Sequence, residues 1–208
     1  FDTASLAEIE KCISAGACPE SISYGNTVKK QRDIERAYNL GVRLFAFDSI
    51  EELKKLRIAA PGAKVFCRLL TNNEGANWPL LGKFGCSLSM ATDLLIMAEE
   101  WGLDAYGLSF HVGSQQTKVS CWESTLKRTA PIFMKLKNKG IDLRMLNLGG
   151  GFPIRYREDV PELSQLASSI KLAITQNFGE QIPTIFFEPG RFIIGSAGLI
   201  RSEVVLVS

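Results

Sequence analysis

With 208 residues, 46% of them apolar and 22% charged, the chain can bury a core and does not have the composition of a disordered segment. Its formal charge of +2 is spread without a basic run or an aromatic-basic stripe, which argues against nucleic acid as a partner. No apolar run approaches the ~18 residues of a membrane-spanning helix.

Taken in chain order, short β-branched or apolar runs alternate with amphipathic stretches. Phe1–Asp2 reads as the end of a strand ahead of a helix over 5–15, in which Leu6, Ile9 and Ile13 share a face and Gly16 is the stop. A strand at Ser21–Tyr24 and a helix over Val28–Leu40 follow, then a strand at Arg43–Phe47. Ser49 and Glu52 form a capping box for a helix carrying Ile50, Leu53 and Leu56, which Pro61–Gly62 ends. After the strand Lys64–Leu70, the polar, glycine-containing segment 71–86 reads as an active-site loop. A helix over 88–101, a strand at Tyr106–Val112 and a long helix over 121–138, kinked at Pro131, come next. The strand Arg144–Leu148, a helix over 162–177 behind Pro161 and the strand Thr184–Glu188 complete the alternation. Beyond Gly195 it stops, and Leu199–Val207 reads as a strand of something else.

Repeated βα units predict a parallel sheet, either closed as a (β/α)8 barrel or open and doubly wound. Asp2, Asn26, Asp48, Arg68, His111, Gly149–Gly151 and Glu188 all fall at or just past strand C-terminal ends. A barrel gathers chemistry from many strand ends and an open sheet from one switch point, so the barrel is favoured.

Several of these positions invite a chemical reading. Gly149, Gly150 and Gly151 follow a strand directly; three glycines let backbone N–H groups approach an anion, whereas a plain turn usually needs one. Glu188-Pro189-Gly190-Arg191 fixes a carboxylate at a strand end, because Pro189 keeps Glu188 out of helical geometry. Arg191 would offer a phosphate its fork of donors, unless it merely pairs with Glu188 at a surface turn. His111, the one histidine, stands before a small-residue turn and is either a structural hydrogen-bonding residue or part of a site. Arg68 lies inside an apolar strand and needs a partner or a ligand. Glu8 is ambiguous, since Ser5-x-x-Glu8 is also a capping box. Lys83 reads as an ordinary solvated lysine. The cysteines Cys12, Cys18, Cys67, Cys86 and Cys121 are odd in number, without a C-x-x-C pair. They read as free thiols of a reducing cytoplasm, with no metal site.

Phe110-His111-Val112-Gly113-Ser114, Leu148-Gly149-Gly150-Gly151-Phe152-Pro153 and Glu188-Pro189-Gly190-Arg191-Phe192 resemble, in order and spacing, the alanine-racemase-like barrel decarboxylases that depend on pyridoxal 5'-phosphate (PLP). Phe1-Asp2-Thr3-Ala4-Ser5 and Tyr24-Gly25-Asn26 extend the likeness over nearly the whole chain. That family decarboxylates ornithine, lysine, diaminopimelate or arginine. Gly75-Ala76-Asn77-Trp78-Pro79-Leu80, Lys83-Phe84-Gly85-Cys86 and the His111–Gln116 run are most similar to its bacterial ornithine decarboxylases.

The resemblance implies that Glu188 pairs with the cofactor's ring nitrogen and that His111 stacks on the ring. Gly150, Gly151, Ser114 and Arg191 would hold its phosphate, with Gly149 also among the cofactor-binding residues and Arg68 near the phenolic oxygen. Asp2 and Glu8 would lie near the lysine that anchors the cofactor. It also implies a cytoplasmic homodimer with shared active sites. On this reading residues 1–196 are a barrel lacking its first, lysine-bearing strand, and 197–208 begin a C-terminal β-domain. The segment would then be a fragment, inactive by itself.

Overall fold

The computed structural model describes residues 1–78 and 82–207, so Pro79 and Leu80 of the ornithine-decarboxylase-like run lie outside the described residues. In chain order the elements are β1 (Asp2–Thr3), α1 (Leu6–Ser14), β2 (Ser23–Tyr24), α2 (Gln31–Asn39), β3 (Leu44–Phe47), α3 (Ile50–Ala59), β4 (Lys64–Arg68) and β5 (Ala76–Trp78). There follow α4 (Leu88–Glu100), β6 (Asp104–Ser109), β7 (Ser114–Gln116), α5 (Ser120–Lys137), β8 (Met145–Asn147), α6 (Leu163–Phe178), β9 (Thr184–Phe186) and α7 (Gly190–Ile194). Among the described residues no helix is long and apolar enough to cross a membrane.

Seven strands form one sheet in the order β1-β2-β3-β4-β6-β8-β9, every pairing parallel. Sequential parallel strands joined by helices are the topology of a (β/α)8 barrel, here with one strand fewer and an opening between β9 and β1. The two edges face a common cavity of about 470 Å3, lined by Asp2 and Ser23 on one side and Asn147, Phe186 and Glu188 on the other. The sheet is therefore curled rather than open and doubly wound.

Alternation along the strands sorts the side chains onto two faces. Tyr24, Phe45, Phe47, Val65, Cys67, Leu108 and Leu146 point outward into one continuous core with the helices. Ala46, Phe66 and Met145 point inward, with Leu44 and Tyr106 packed against them. Counting on by two from these inward residues puts Arg68 and Asn147 on the inner face, one layer nearer the strand C-terminal ends.

Local chemistry explains most boundaries. Ser5, Ser49 and Ser87 cap α1, α3 and α4, each hydroxyl accepting from the N–H three residues on. Only half of the expected Ser49–Glu52 box forms, because the Glu52 carboxylate turns to Lys29 and Lys55 instead, at 2.9 and 2.5 Å. That pair also shortens the second helix, expected over Val28–Leu40. Lys29 is buried ahead of α2, where its Nζ donates to the carbonyls of Asn26 and Ala46 and so ties β2 to β3. Burial pulls the Lys29 pKa down to about 8 despite the pull of Glu52. The helix α5 runs unbroken through Pro131.

Two expectations are corrected. Segment 71–86 is not all loop: Ala76–Trp78 forms β5, an antiparallel partner for β7. Nor does Leu199–Val207 form a strand; it is exposed and without secondary structure, since a strand needs a neighbour for its backbone groups and none among the described residues pairs with it.

Candidate functional site

The inner-face polar layer is where the strands end. Glu188, two residues past β9, accepts a hydrogen bond at 2.6 Å from the Asn147 side-chain amide on β8. Asn147 Oδ1 in turn accepts from Gly149 N–H at 2.9 Å. Burial raises the Glu188 pKa to about 7, helped by the negative charge of Asp2 and opposed by the Asn147 bond and by Arg68. Asp2 is likewise raised, first by desolvation, with the Ser23 hydroxyl donating to it at 2.7 Å and pulling it back down. Gly25 leaves room beside it, because a Cβ there would meet the Asp2 carboxylate and push it aside. Two raised carboxyls facing one guanidinium, Arg68, leave the layer able to accept a further cation.

His111 closes this layer. Its Nδ1 accepts from Gly113 N–H at 3.0 Å, so the proton of the neutral ring sits on Nε2. Burial, and then Arg68, lower its pKa to about 4. At neutral pH it is an uncharged flat ring, unsuited to act as a strong acid and suited to lie against another ring.

Gly150 joins this end of the site to a second. A Cβ on Gly150 would strike the Glu188 carbonyl and come within 3.4 Å of His111 Nε2. Gly149 and Gly151 have φ of +67° and +96°, and side chains there would meet the carbonyls of Phe110 and Gly113. The three glycines therefore answer first to the packing of three strand-end loops against one another. Beyond them, Arg191 at the start of α7 donates from Nε to Ser114 Oγ at 3.0 Å and from Nη1 to the Tyr156 hydroxyl at 3.1 Å. The guanidinium also lies over the Trp78 ring of β5, at 5.5 Å. It is exposed and has no carboxylate partner in the described ion pairs, so the surface pairing with Glu188 does not form.

Asp2, Arg68, His111 and Glu188 thus form one electrostatic group, and Ser114 and Arg191 form a second, with Gly149–Gly151 between. Glu8 stays at the rim. Its carboxylate accepts from Ala4 N–H at 2.5 Å as part of the α1 cap, and its charge raises the Asp2 pKa. Asn26 and Asp48 hold loops in place: Asn26 accepts from Val28 N–H in its own loop, and Asp48 accepts from Gly85 N–H, tying the end of β3 to the end of segment 71–86. Lys83 is exposed. All five cysteines are free thiols, and no cluster of metal-ligating side chains occurs among the described residues.

Three contributors were missed in the sequence: Asn147, Gln115 and Tyr156. Asn147 had the same mark as Arg68, a polar residue in an apolar strand. Gln115 and Tyr156 had none, because their partners lie on other loops.

Residues 1–195 match the family described as pyridoxal-dependent decarboxylase, pyridoxal binding domain. The lysine/ornithine decarboxylase of Selenomonas ruminantium is 34% identical over 207 residues, covering 99% of this chain and 52% of that protein. Antizyme inhibitor 2 of Xenopus laevis is 32% identical, covering 99% of this chain and 45% of that protein. Among solved structures, an SrLDC mutant in complex with PLP superposes with a TM-score of 0.87 at 34% identity, over 93% of this chain and 50% of that one. The chain therefore spans about half the length of the relatives it matches.

Proposed function

The chain belongs to the pyridoxal-dependent decarboxylases through their pyridoxal binding domain, and from that premise we propose that it is the cofactor-holding barrel of a decarboxylase acting on a basic amino acid, with L-ornithine, giving putrescine and CO2, as its best substrate. The observation that carries this reading is the pairing of two unlike ends, an Arg191–Ser114 anion site and a Glu188–Asn147 carboxyl site, bridged by Gly150. A planar molecule with a phosphate at one end and a basic ring nitrogen at the other fits that arrangement.

The residues present fit the group. Arg191, Ser114 and the N–H groups of Gly150 and Gly151 would hold its phosphate, and His111 would lie against its ring. A carboxyl whose pKa is held at about 7 by burial would ionise beside a ring nitrogen and keep a proton there. Asn147 orients that carboxyl through Oε1. Arg68 offsets the charge of Asp2 and Glu188. Bound PLP supplies the electron-withdrawing system that takes up the electron pair left when CO2 departs.

Residues 1–196 would form the barrel part and 197–208 lead into a C-terminal β-domain, in a cytoplasmic homodimer that shares its active sites. The preference for ornithine rests on the 75–86 and 111–116 runs. Lysine and diaminopimelate are the nearest rivals, and the name of the Selenomonas relative carries lysine and ornithine alike.

The test is an absorption spectrum of the full-length protein with PLP, followed by competition among ornithine, lysine and meso-diaminopimelate for CO2 release. A bound-cofactor band that shifts with ornithine, and release fastest from ornithine, support the reading. Faster release from diaminopimelate would overturn the substrate and leave the cofactor. The likeness to antizyme inhibitor 2 favours a second reading, a regulator without turnover. PLP binding with no CO2 from any of the three substrates, nor from arginine, would select it. Glu188→Gln should cripple turnover more than PLP binding, and unchanged turnover would remove Glu188 from the mechanism.

A further inference from the structure

Among the described residues one non-glycine has a positive φ, Gln115 at 54°. Side chains rarely adopt that conformation, and it persists where the surroundings over-determine it, often at functional sites. Here the surroundings are specific. Gln115 is buried, and its amide is used from both ends on one backbone unit. Nε2 donates to the Ile154 carbonyl at 2.9 Å, and Oε1 accepts from Ile154 N–H at 2.9 Å.

The neighbours of this staple are the partners of Arg191. Ser114 precedes Gln115 and accepts from Arg191 Nε; Tyr156 lies two residues past Ile154 and accepts from Arg191 Nη1. The next residue, Gln116, is fully buried and reinforces the join, its N–H donating to the Gly151 carbonyl at 2.8 Å and its side chain to the Val112 carbonyl at 2.8 Å.

We propose that Gln115 is a positioning residue for the anion site, fastening the Ser114 loop to the Tyr156 loop so that both hydroxyls meet the Arg191 guanidinium and aim it. The proposal rests on the reading of Arg191 as a phosphate ligand. Both loops approach Arg191 from different strand ends, 39 residues apart at the staple, and no hydrogen bond joins Ser114 to Tyr156 directly among the described residues. Without the staple, the Gln116–Gly151 bond still joins the two segments near their bases, but nothing fastens Ile154, and with it Tyr156, beside Ser114.

The test measures the affinity of the full-length protein for PLP and for pyridoxal, which lacks the phosphate, in Q115A, Q115G and R191A variants. Losing the two staple bonds should weaken PLP binding by roughly tenfold and leave pyridoxal binding unchanged. Q115G, in which φ carries no penalty, should be as stable as Q115A or more so, yet equally poor at discriminating PLP from pyridoxal. It also keeps the test open should Q115A not fold. On an R191A background Q115G should cost PLP affinity little more, because both act on one contact. Parallel losses for PLP and pyridoxal, wild-type PLP affinity in both Gln115 variants, or full additivity with R191A would each overturn the proposal. A wild-type protein that binds PLP no more tightly than pyridoxal would instead overturn the phosphate-site reading beneath it.

Discussion

The two faces of the seven-stranded sheet follow the same two-residue alternation and do opposite work. The outer face, against the helices, is apolar along its length: Tyr24, Phe45, Val65, Leu108 and Leu146 join one continuous core. The inner face is apolar only in the layer of Ala46, Phe66 and Met145, and toward the strand C-terminal ends it becomes Asp2, Arg68, Asn147 and Glu188. Burying a large apolar side chain contributes about 1.5–3 kcal/mol, whereas desolvating a carboxyl opposes its ionisation. The outer face therefore carries stability, and the inner layer gives some up to keep its carboxyls out of water.

The largest expected effect tests the outer side of that contrast. Phe45→Ala removes a fully buried ring and should cost about 3–5 kcal/mol, read as a lower denaturant midpoint with little change in slope. A loss below about 1 kcal/mol would mean that the outer core repacks around the gap.

Next in size, Arg191→Ala should weaken PLP binding by about 1.5–3 kcal/mol, the worth of a charge-assisted contact, while the fold melts as before. Arg191 is exposed and belongs to neither core cluster, so a large drop in melting temperature would break the separation of stability from binding.

The smallest effect is a matter of sign. In the cofactor-free protein the Glu188 pKa is about 7 against an ordinary 4.5, so its favourable contribution is full below 4.5 and is lost as pH rises through 7. The Glu188→Gln variant cannot ionise at this position. Relative to wild type, its cofactor-free form should gain stability between pH 5 and pH 8, measured by denaturation at both. His111 runs the other way, with a pKa of about 4 against 6.5, so its contribution is full above 6.5 and lost as pH falls through 4. A stability difference between wild type and the Glu188→Gln variant that stays flat with pH would mean Glu188 is well solvated, and the inner layer less costly than proposed.

The elements on the outer face were the legible ones. Apolar periodicity and serine caps placed all seven sheet strands and the helices between them, because each depends on residues within a turn or two of one another. The placement of Asp2, Arg68, His111, Gly149–Gly151 and Glu188 at strand ends also pointed to a barrel. β5 was not legible, as its three residues, Ala76-Asn77-Trp78, form a strand only by pairing with Ser114–Gln116. The buried Lys29 was hidden for a similar reason: its partner Glu52 already had a local role in a capping box.

What the amino-acid order determined by itself, then, was the list of elements, their parallel alternation and the residue types gathered at one end of the strands. Tertiary structure decided which of those residues are charged, paired or strained. Neither the raised Glu188, the neutral His111 nor the left-handed Gln115 follows from its neighbours in the chain. Desolvation and hydrogen bonding act through space, and Asn147 lies 41 residues from Glu188 while Ile154 lies 39 from Gln115. The parallel pairing of β8 with β9 and of β6 with β8 brings those partners within reach.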